Sequence, residues 1–146
     1  LSPGAHLVAL LAGQAPKAMR DADVEIVEVH HKKKKDAPSG TALMLATSVE
    51  KARAQVGQSS RVVKSRDGEA LRKDGDIGVV AVRGGDVVGE HTVSFFVDGE
   101  RVELVHKVSD RAIFARGALL AARFLSTSGR APGRYQMTDV LAAAMG

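Results

Sequence analysis

The chain has 146 residues, with 21 Lys and Arg against 17 Asp and Glu, a net charge of +4, 45% hydrophobic and 3% aromatic residues, and no cysteine. That is enough sequence for one domain with a real core, and too apolar for wholesale disorder. Without cysteine, a disulfide scaffold, a thiolate zinc site and a cysteine nucleophile are all excluded.

The longest apolar stretch near the start, Leu7 to Ala12, is far short of a membrane span. No charged segment leads into a long apolar one, so no signal peptide is read. Leu1 stands where a complete translation product has Met, which suggests a processed chain or an excised domain. A cytoplasmic location is expected. The positive charge suits an acidic partner. Nucleic acid is the bland choice, but aromatic platforms for bases are few and the basic residues are scattered, apart from Lys32 to Lys35. Neither a nucleic-acid nor a membrane partner is expected.

Residues 4–20 read as a helix on Leu7, Leu10 and Leu11, with a kink or break near Pro16. Asp21 to Asp23 mark a turn. Val24 to Val29 alternate as a strand, with Val24, Ile26 and Glu28 on one face. The segment His30-His31-Lys32-Lys33-Lys34-Lys35-Asp36-Ala37-Pro38-Ser39-Gly40-Thr41 ends that strand and opens a helix. Ala42, Leu45, Val49, Ala52 and Val56 form the buried stripe of this helix. A short strand is expected at Arg61 to Lys64, then a mobile surface loop over 65–76, then an apolar strand from Ile77 to Val82. Arg83-Gly84-Gly85-Asp86 reads as a turn. Asp98-Gly99 joins strands His91–Val97 and Glu100–His106 as a hairpin. The register follows: Val97 faces Glu100, Phe95 faces Val102, Val93 faces Leu104, and His91 faces His106. A last helix runs from Asp110 to about Leu125 on Phe114, Ala118, Ala121 and Leu125, followed by a tail through Tyr135 to Leu141. The expected class is α+β: a mixed, mostly antiparallel sheet covered by helices on one face.

The strand–loop–helix unit at 24–56 carries the chemistry. The first turn of a helix leaves N–H groups free and partly positive. Gly40 lets a ligand approach the backbone, Thr41 adds a hydroxyl, and lysines and histidines lie just upstream. This is a seat for a carboxylate or phosphate. A histidine beside it is a natural proton donor near neutral pH. The bland alternative is a helix capped by Ser39 after a solvated basic loop, and the residue types alone leave both open.

Glu25-Ile26-x-Glu28-x-His30-x-x-x-Lys34-x-Asp36-x-Pro38-Ser39-Gly40-Thr41-Ala42 resembles the signature of dihydrodipicolinate reductase of bacterial lysine (diaminopimelate) biosynthesis. The likeness continues through Arg83-Gly84-Gly85-Asp86-Val87-Val88-Gly89-Glu90-His91-Thr92-Val93, His106-Lys107, Arg111 and Tyr135-x-Met137-x-Asp139-Val140-Leu141. It covers nearly all of the chain and corresponds to the family's C-terminal domain. Lys33, His6 and Asp110 depart from the family pattern, but none of these lies at the matched site positions.

The resemblance implies an oxidoreductase that reduces a cyclic, unsaturated dicarboxylate to tetrahydrodipicolinate with NADH or NADPH. It implies that His30 is the catalytic proton donor, Lys34 the second catalytic cation, and His31, Gly40 and Thr41 the substrate contacts. It further implies a substrate-binding and oligomerisation domain over 1–146, assembled as a homotetramer. No G-x-G-x-x-G loop occurs here, so the family's N-terminal Rossmann domain is expected to be absent, its cofactor-binding residues cannot be assigned, and the isolated chain is expected to be inactive. The alternative is a non-catalytic oligomerisation or anion-binding module derived from the same family.

Two other arrangements are weaker. His91 facing His106 beside Glu90 and Glu103 would allow a metal, but two partly buried, hydrogen-bonded histidines are simpler and no metal is expected. Ser39 near a histidine suggests a hydrolase, yet the G-x-S-x-G elbow is missing.

Overall fold

In the computed structural model, which describes residues 1–144, the strands β1 (Asp23–His30), β2 (Arg61–Val63), β3 (Asp76–Arg83), β4 (Gly89–Val97) and β5 (Glu100–Val108) form one sheet in the order β2-β3-β1-β4-β5. The pairs β1–β3 and β2–β3 are parallel, while β1–β4 and β4–β5 are antiparallel. The α+β class and the mixed sheet match the expectation, but parallel and antiparallel pairings are evenly balanced. The reason is the helix α3 (Gly40–Gln55), which carries the chain from the end of β1 back to start β2 and β3 alongside it.

The hairpin register agrees pair by pair with the expectation: Val97↔Glu100, Phe95↔Val102, Val93↔Leu104 and His91↔His106. Asp98 and Gly99 turn the chain, with Gly99 at φ +87°, a conformation that suits glycine.

Helices α1 (Pro3–Ala12) and α3 cover one face of the sheet. The core between them joins Val24 and Ile26 of β1, Ile77 and Val79 of β3, and Val93 and Phe95 of β4 to Val8, Ala12, Leu45 and Val49. The α3 stripe holds at Ala42, Leu45, Val49 and Ala52, while Val56 falls at the C-cap. The opposite face of the sheet leaves Val27, Val80, Val82 and Val105 exposed.

The first helix breaks earlier than Pro16. It ends at Gly13, and a short α2 (Ala15–Ala18) takes Pro16 into its first turn. A proline is tolerated there because that N–H has no helical acceptor. The 65–76 loop, expected to be mobile, is tied to the sheet by two arginines. Arg66 bonds Glu25 at 2.8 Å, and Arg72 reaches Asp23 at 2.6 Å and the carbonyl of Val24 at 3.3 Å.

The last helix, α4 (Ala112–Leu125), buries a different face from the one expected. Phe114, Ala118 and Leu125 are exposed, and of the expected stripe only Ala121 packs inward, with Leu120 against the buried Phe124, while Gly117 is buried separately. Apolar residues lie all around this helix, so spacing alone could not choose its buried side. Contacts outside the helix made the choice. The backbone of Leu1 leaves no room for a Cβ at Gly117. The expected tail contains α5 (Met137–Ala144), whose Met137 and Val140 meet Phe124.

Candidate functional site: a buried carboxylate at the end of the central strand

Strand alternation puts Val24, Ile26, Glu28 and His30 on the same, buried side of β1. The first two enter the apolar core. Glu28 is fully buried, and a charged group there is tolerable only if its oxygens are fully partnered. They are. Arg83, across the parallel pairing with β3, donates from both terminal nitrogens at 2.8 Å each. His30 Nδ1 lies 2.5 Å from Oε2, and the backbone N–H of Ser39 donates to Oε1 at 2.9 Å. Burial is the largest single influence on the Glu28 carboxyl and pushes its pKa up. The Arg83, His30 and Ser39 bonds together outweigh it and hold the pKa below the usual value of 4.5.

One carboxylate therefore gathers three parts of the chain. It orients the His30 ring. It anchors the residue before Gly40, where α3 begins. Through Arg83, which also donates to the Asp36 carbonyl at 2.7 Å, it holds the lysine loop as well. Lys34 is in turn paired with the Asp36 carboxylate at 2.8 Å. The turn after β3 fixes the backbone of the same loop: His31 N–H donates to the Val87 carbonyl at 2.7 Å and Lys32 N–H to Gly85 at 3.2 Å. Gly85 has φ +51°, so this turn needs its glycine.

His30 uses only one ring nitrogen. Among the described residues Nε2 finds no hydrogen-bond partner, and it is not one of the buried unpartnered atoms, which leaves it in contact with solvent. Gly89 makes room for that end of the ring: a Cβ there would stand 3.0 Å from Nε2.

The other expected site residues sit around this network. Gly40 is exposed with open space about it, and Thr41 is half-buried in the first turn of α3. Among the described residues, the N–H groups of Gly40 and Thr41 find no acceptor. His31 lies in a cleft of about 540 Å³ with Lys32, Lys33, Gly85, Asp86 and Arg111. Ser39 does cap α3, its Oγ accepting from Ala42 N–H at 3.2 Å, so that part of the bland alternative is also true. Its hydroxyl lies 3.2 Å from His91 Nε2. Ser39 is 2% exposed, and its hydroxyl is taken up by the cap and by His91.

His91 and His106 do face each other. Their rings stack with centroids 6.1 Å apart, and His30 meets His91 edge-on at 5.2 Å. His106 Nε2 reaches Ser2 Oγ at 3.1 Å. Burial first, then the neighbouring His30 and His106, push His91 down to about 4. The sign of the consequence is fixed. As pH falls from 6.5, the unfolded chain protonates this histidine while the folded chain refuses the proton until about 4. Stability should therefore fall across that window, by on the order of 3 kcal/mol at its acid end. His106, also pushed down by burial, acts in the same direction. Urea midpoints between pH 7 and pH 5 should fall for the wild type and much less for His91→Phe. An equal slope in both would contradict the assignment.

Glu28 and Arg83 were not singled out as site residues by the sequence, and His91 was weighed only as a metal ligand. A usable signal existed for the first: a glutamate in phase with Val24 and Ile26 must find partners inside the protein. Arg83 carried no such mark, because its turn-side position reads as solvent-facing until the β1–β3 register is known.

The fold and this constellation define a class: an α+β domain whose central strand delivers a histidine and a lysine-rich loop to the open N-terminus of a helix. The family model described as dihydrodipicolinate reductase, C-terminus, matches residues 4–141, and the chain belongs to that family. Curated relatives include the 4-hydroxy-tetrahydrodipicolinate reductases of Aquifex aeolicus (strain VF5), 48% identical over 143 residues, and of Rhodopseudomonas palustris (strain BisA53), 50% identical over 143 residues. These matches take in 97% of this chain but 52% and 51% of the relatives, so the chain spans about half their length. Among solved structures, the dipicolinate-bound dihydrodipicolinate reductase from Paenisporosarcina sp. TG-14 is similar with a TM-score of 0.64 and 28% identity. That likeness covers 82% of this chain and 45% of that one.

Proposed function

We propose that this chain is the substrate-binding and oligomerisation part of an enzyme that reduces 4-hydroxy-tetrahydrodipicolinate, or its dehydrated form, to tetrahydrodipicolinate in lysine and diaminopimelate biosynthesis. The observation that carries the reading is the pairing of unclaimed donors with cations. The Gly40 and Thr41 N–H groups are unspent, while His30, His31 and Lys34 lie on the loop that leads into the same helix. A cyclic dicarboxylate asks for such a set. One carboxylate sits on the helix N-terminus with the Thr41 hydroxyl, and Lys34 and His31 neutralise charge.

His30 Nε2 is the proton source for the reduced ring, because hydride addition to a C=C–C=N system leaves a negative charge that needs a proton. A cation beside the ring also makes it a better hydride acceptor. Lys34 serves there after giving up its exposed pairing with Asp36. NADH or NADPH supplies the hydride. The described residues form no dinucleotide loop of their own: Gly84-Gly85 leads into strand β4 and not into a helix. In this reading the cofactor contacts come from a separate nucleotide-binding domain.

Assembly as a homotetramer is supported by the uncovered face of the sheet. Val80, Val27 and Val105 lie in one cross-strand row, Val27 pairing Val80 on one side and Thr92 on the other, with Thr92 opposite Val105. Sedimentation equilibrium reads this directly, and a monomer at every concentration would refute it. A cytoplasmic location follows from the proposed biosynthetic role.

The deciding experiment is a calorimetric titration with pyridine-2,6-dicarboxylate, a flat and stable mimic of the substrate. Saturable binding is expected in the wild type, with at least about a tenfold loss in Lys34→Ala and in Thr41→Ala, as for one charge-assisted hydrogen bond each. A folded chain that binds nothing would sink the reading.

A further inference from the structure

Glu28 has no place in the reading above, yet its carboxylate holds several parts of the site together. It is fully buried, and each of its oxygens takes two partners: Oε1 from Ser39 N–H and Arg83, Oε2 from His30 and Arg83. An ionised carboxylate only accepts hydrogen bonds. The His30 nitrogen at 2.5 Å must therefore carry the proton of the neutral ring. The other nitrogen, Nε2, is then left as the position that takes up and gives away a proton.

We propose that Glu28 is a positioning residue of this site, which fixes the Nδ1–H tautomer and the orientation of His30 and, through the same carboxylate, keeps the start of α3 in register with that ring. The proposal rests on the functional reading for its catalytic meaning. Its structural content stands independently. A merely structural buried acid would need partners of any kind. This one divides them between the proton-carrying histidine, the residue that caps the anion-binding helix, and the arginine that holds the Asp36 carbonyl of the lysine loop. A shift of Glu28 would therefore move the proton donor and the carboxylate seat together.

The test is Glu28→Gln, which keeps the shape and one acceptor oxygen. An amide oxygen can still take Ser39 N–H and one Arg83 bond, while the amide nitrogen turns toward His30. That nitrogen donates, so the neutral ring must accept at Nδ1 and carry its proton on Nε2 instead. Nitrogen-15 spectra of the histidines in the 146-residue chain, recorded where the ring is neutral, separate the two forms. The wild type is expected to show the unprotonated-type resonance at Nε2 of His30, and Glu28→Gln to show it at Nδ1. Arg83→Lys, which leaves the carboxylate in place, should keep the wild-type pattern. A wild-type ring protonated at Nε2 would overturn the proposal, as would a Glu28→Gln chain, folded by circular dichroism, with an unchanged pattern. Failure of the dicarboxylate titration would instead remove the substrate reading and leave the tautomer result to decide this one.

Discussion

Glu28→Ala is expected to destabilise the chain by about 3–5 kcal/mol, because it takes the counter-charge from the half-buried Arg83 and leaves the bonds of His30 and Ser39 without an acceptor. A domain of this size has only about 5–15 kcal/mol in total, so urea unfolding should begin close to zero denaturant. Glu25 is the control. It lies three strand positions earlier, on the opposite, partly exposed face, and pairs with Arg66 and Arg72. Its loss should cost about 1 kcal/mol or less, as exposed ion pairs do. The double change Glu28→Leu with Arg83→Met should recover part of the stability, since it removes the buried carboxylate together with its half-buried counter-charge. If Glu28→Ala cost no more than Glu25→Ala, the buried network would not be what holds the end of β1.

Replacing His30 by glutamine should lower turnover by a factor of about 10² to 10⁴, the usual worth of a positioned general acid. The measurement joins the chain to the remaining half of one of its curated relatives, with hydride transfer followed by loss of reduced cofactor. Affinity for pyridine-2,6-dicarboxylate should change by less than about threefold, because the proposed carboxylate seat lies at Gly40 and Thr41. Lys34→Ala should behave differently and lose both binding and turnover. A His30→Gln enzyme with normal turnover would show that the proton comes from another group. An equal loss of binding in both variants would show that His30 holds the substrate rather than protonating it.

The same contrast separates what was legible in the sequence from what was not. Local patterns were enough for β1, because Val24, Ile26 and Glu28 alternate, and for the hairpin, because Asp-Gly permits one register. They were enough for the start of α3, where Ser39 caps and Gly40 opens the first turn. They also exposed the motif from Glu25 to Ala42 that places the chain in its family, along with His30, His31, Lys34, Gly40 and Thr41. All of these depend on neighbours a few residues apart, where backbone geometry dictates what meets what.

The rest depended on distant partners. Arg83 became part of the site only when β3 paired with β1 and set it beside His30, 53 positions earlier in the chain. His91 was pushed down by a crowded interior that no spacing rule records. Arg66 and Arg72 fixed a polar loop whose composition reads as mobile. Apolar side chains ring α4, so only the docking of Gly117 on the N-terminal segment and of Phe124 on α5 selected its buried face. In each case the deciding energy comes from burial and from charges brought together by the fold. Such terms exist only after the chain has closed on itself, which is why the sequence determined the motif and the elements while the tertiary structure decided how the site is held.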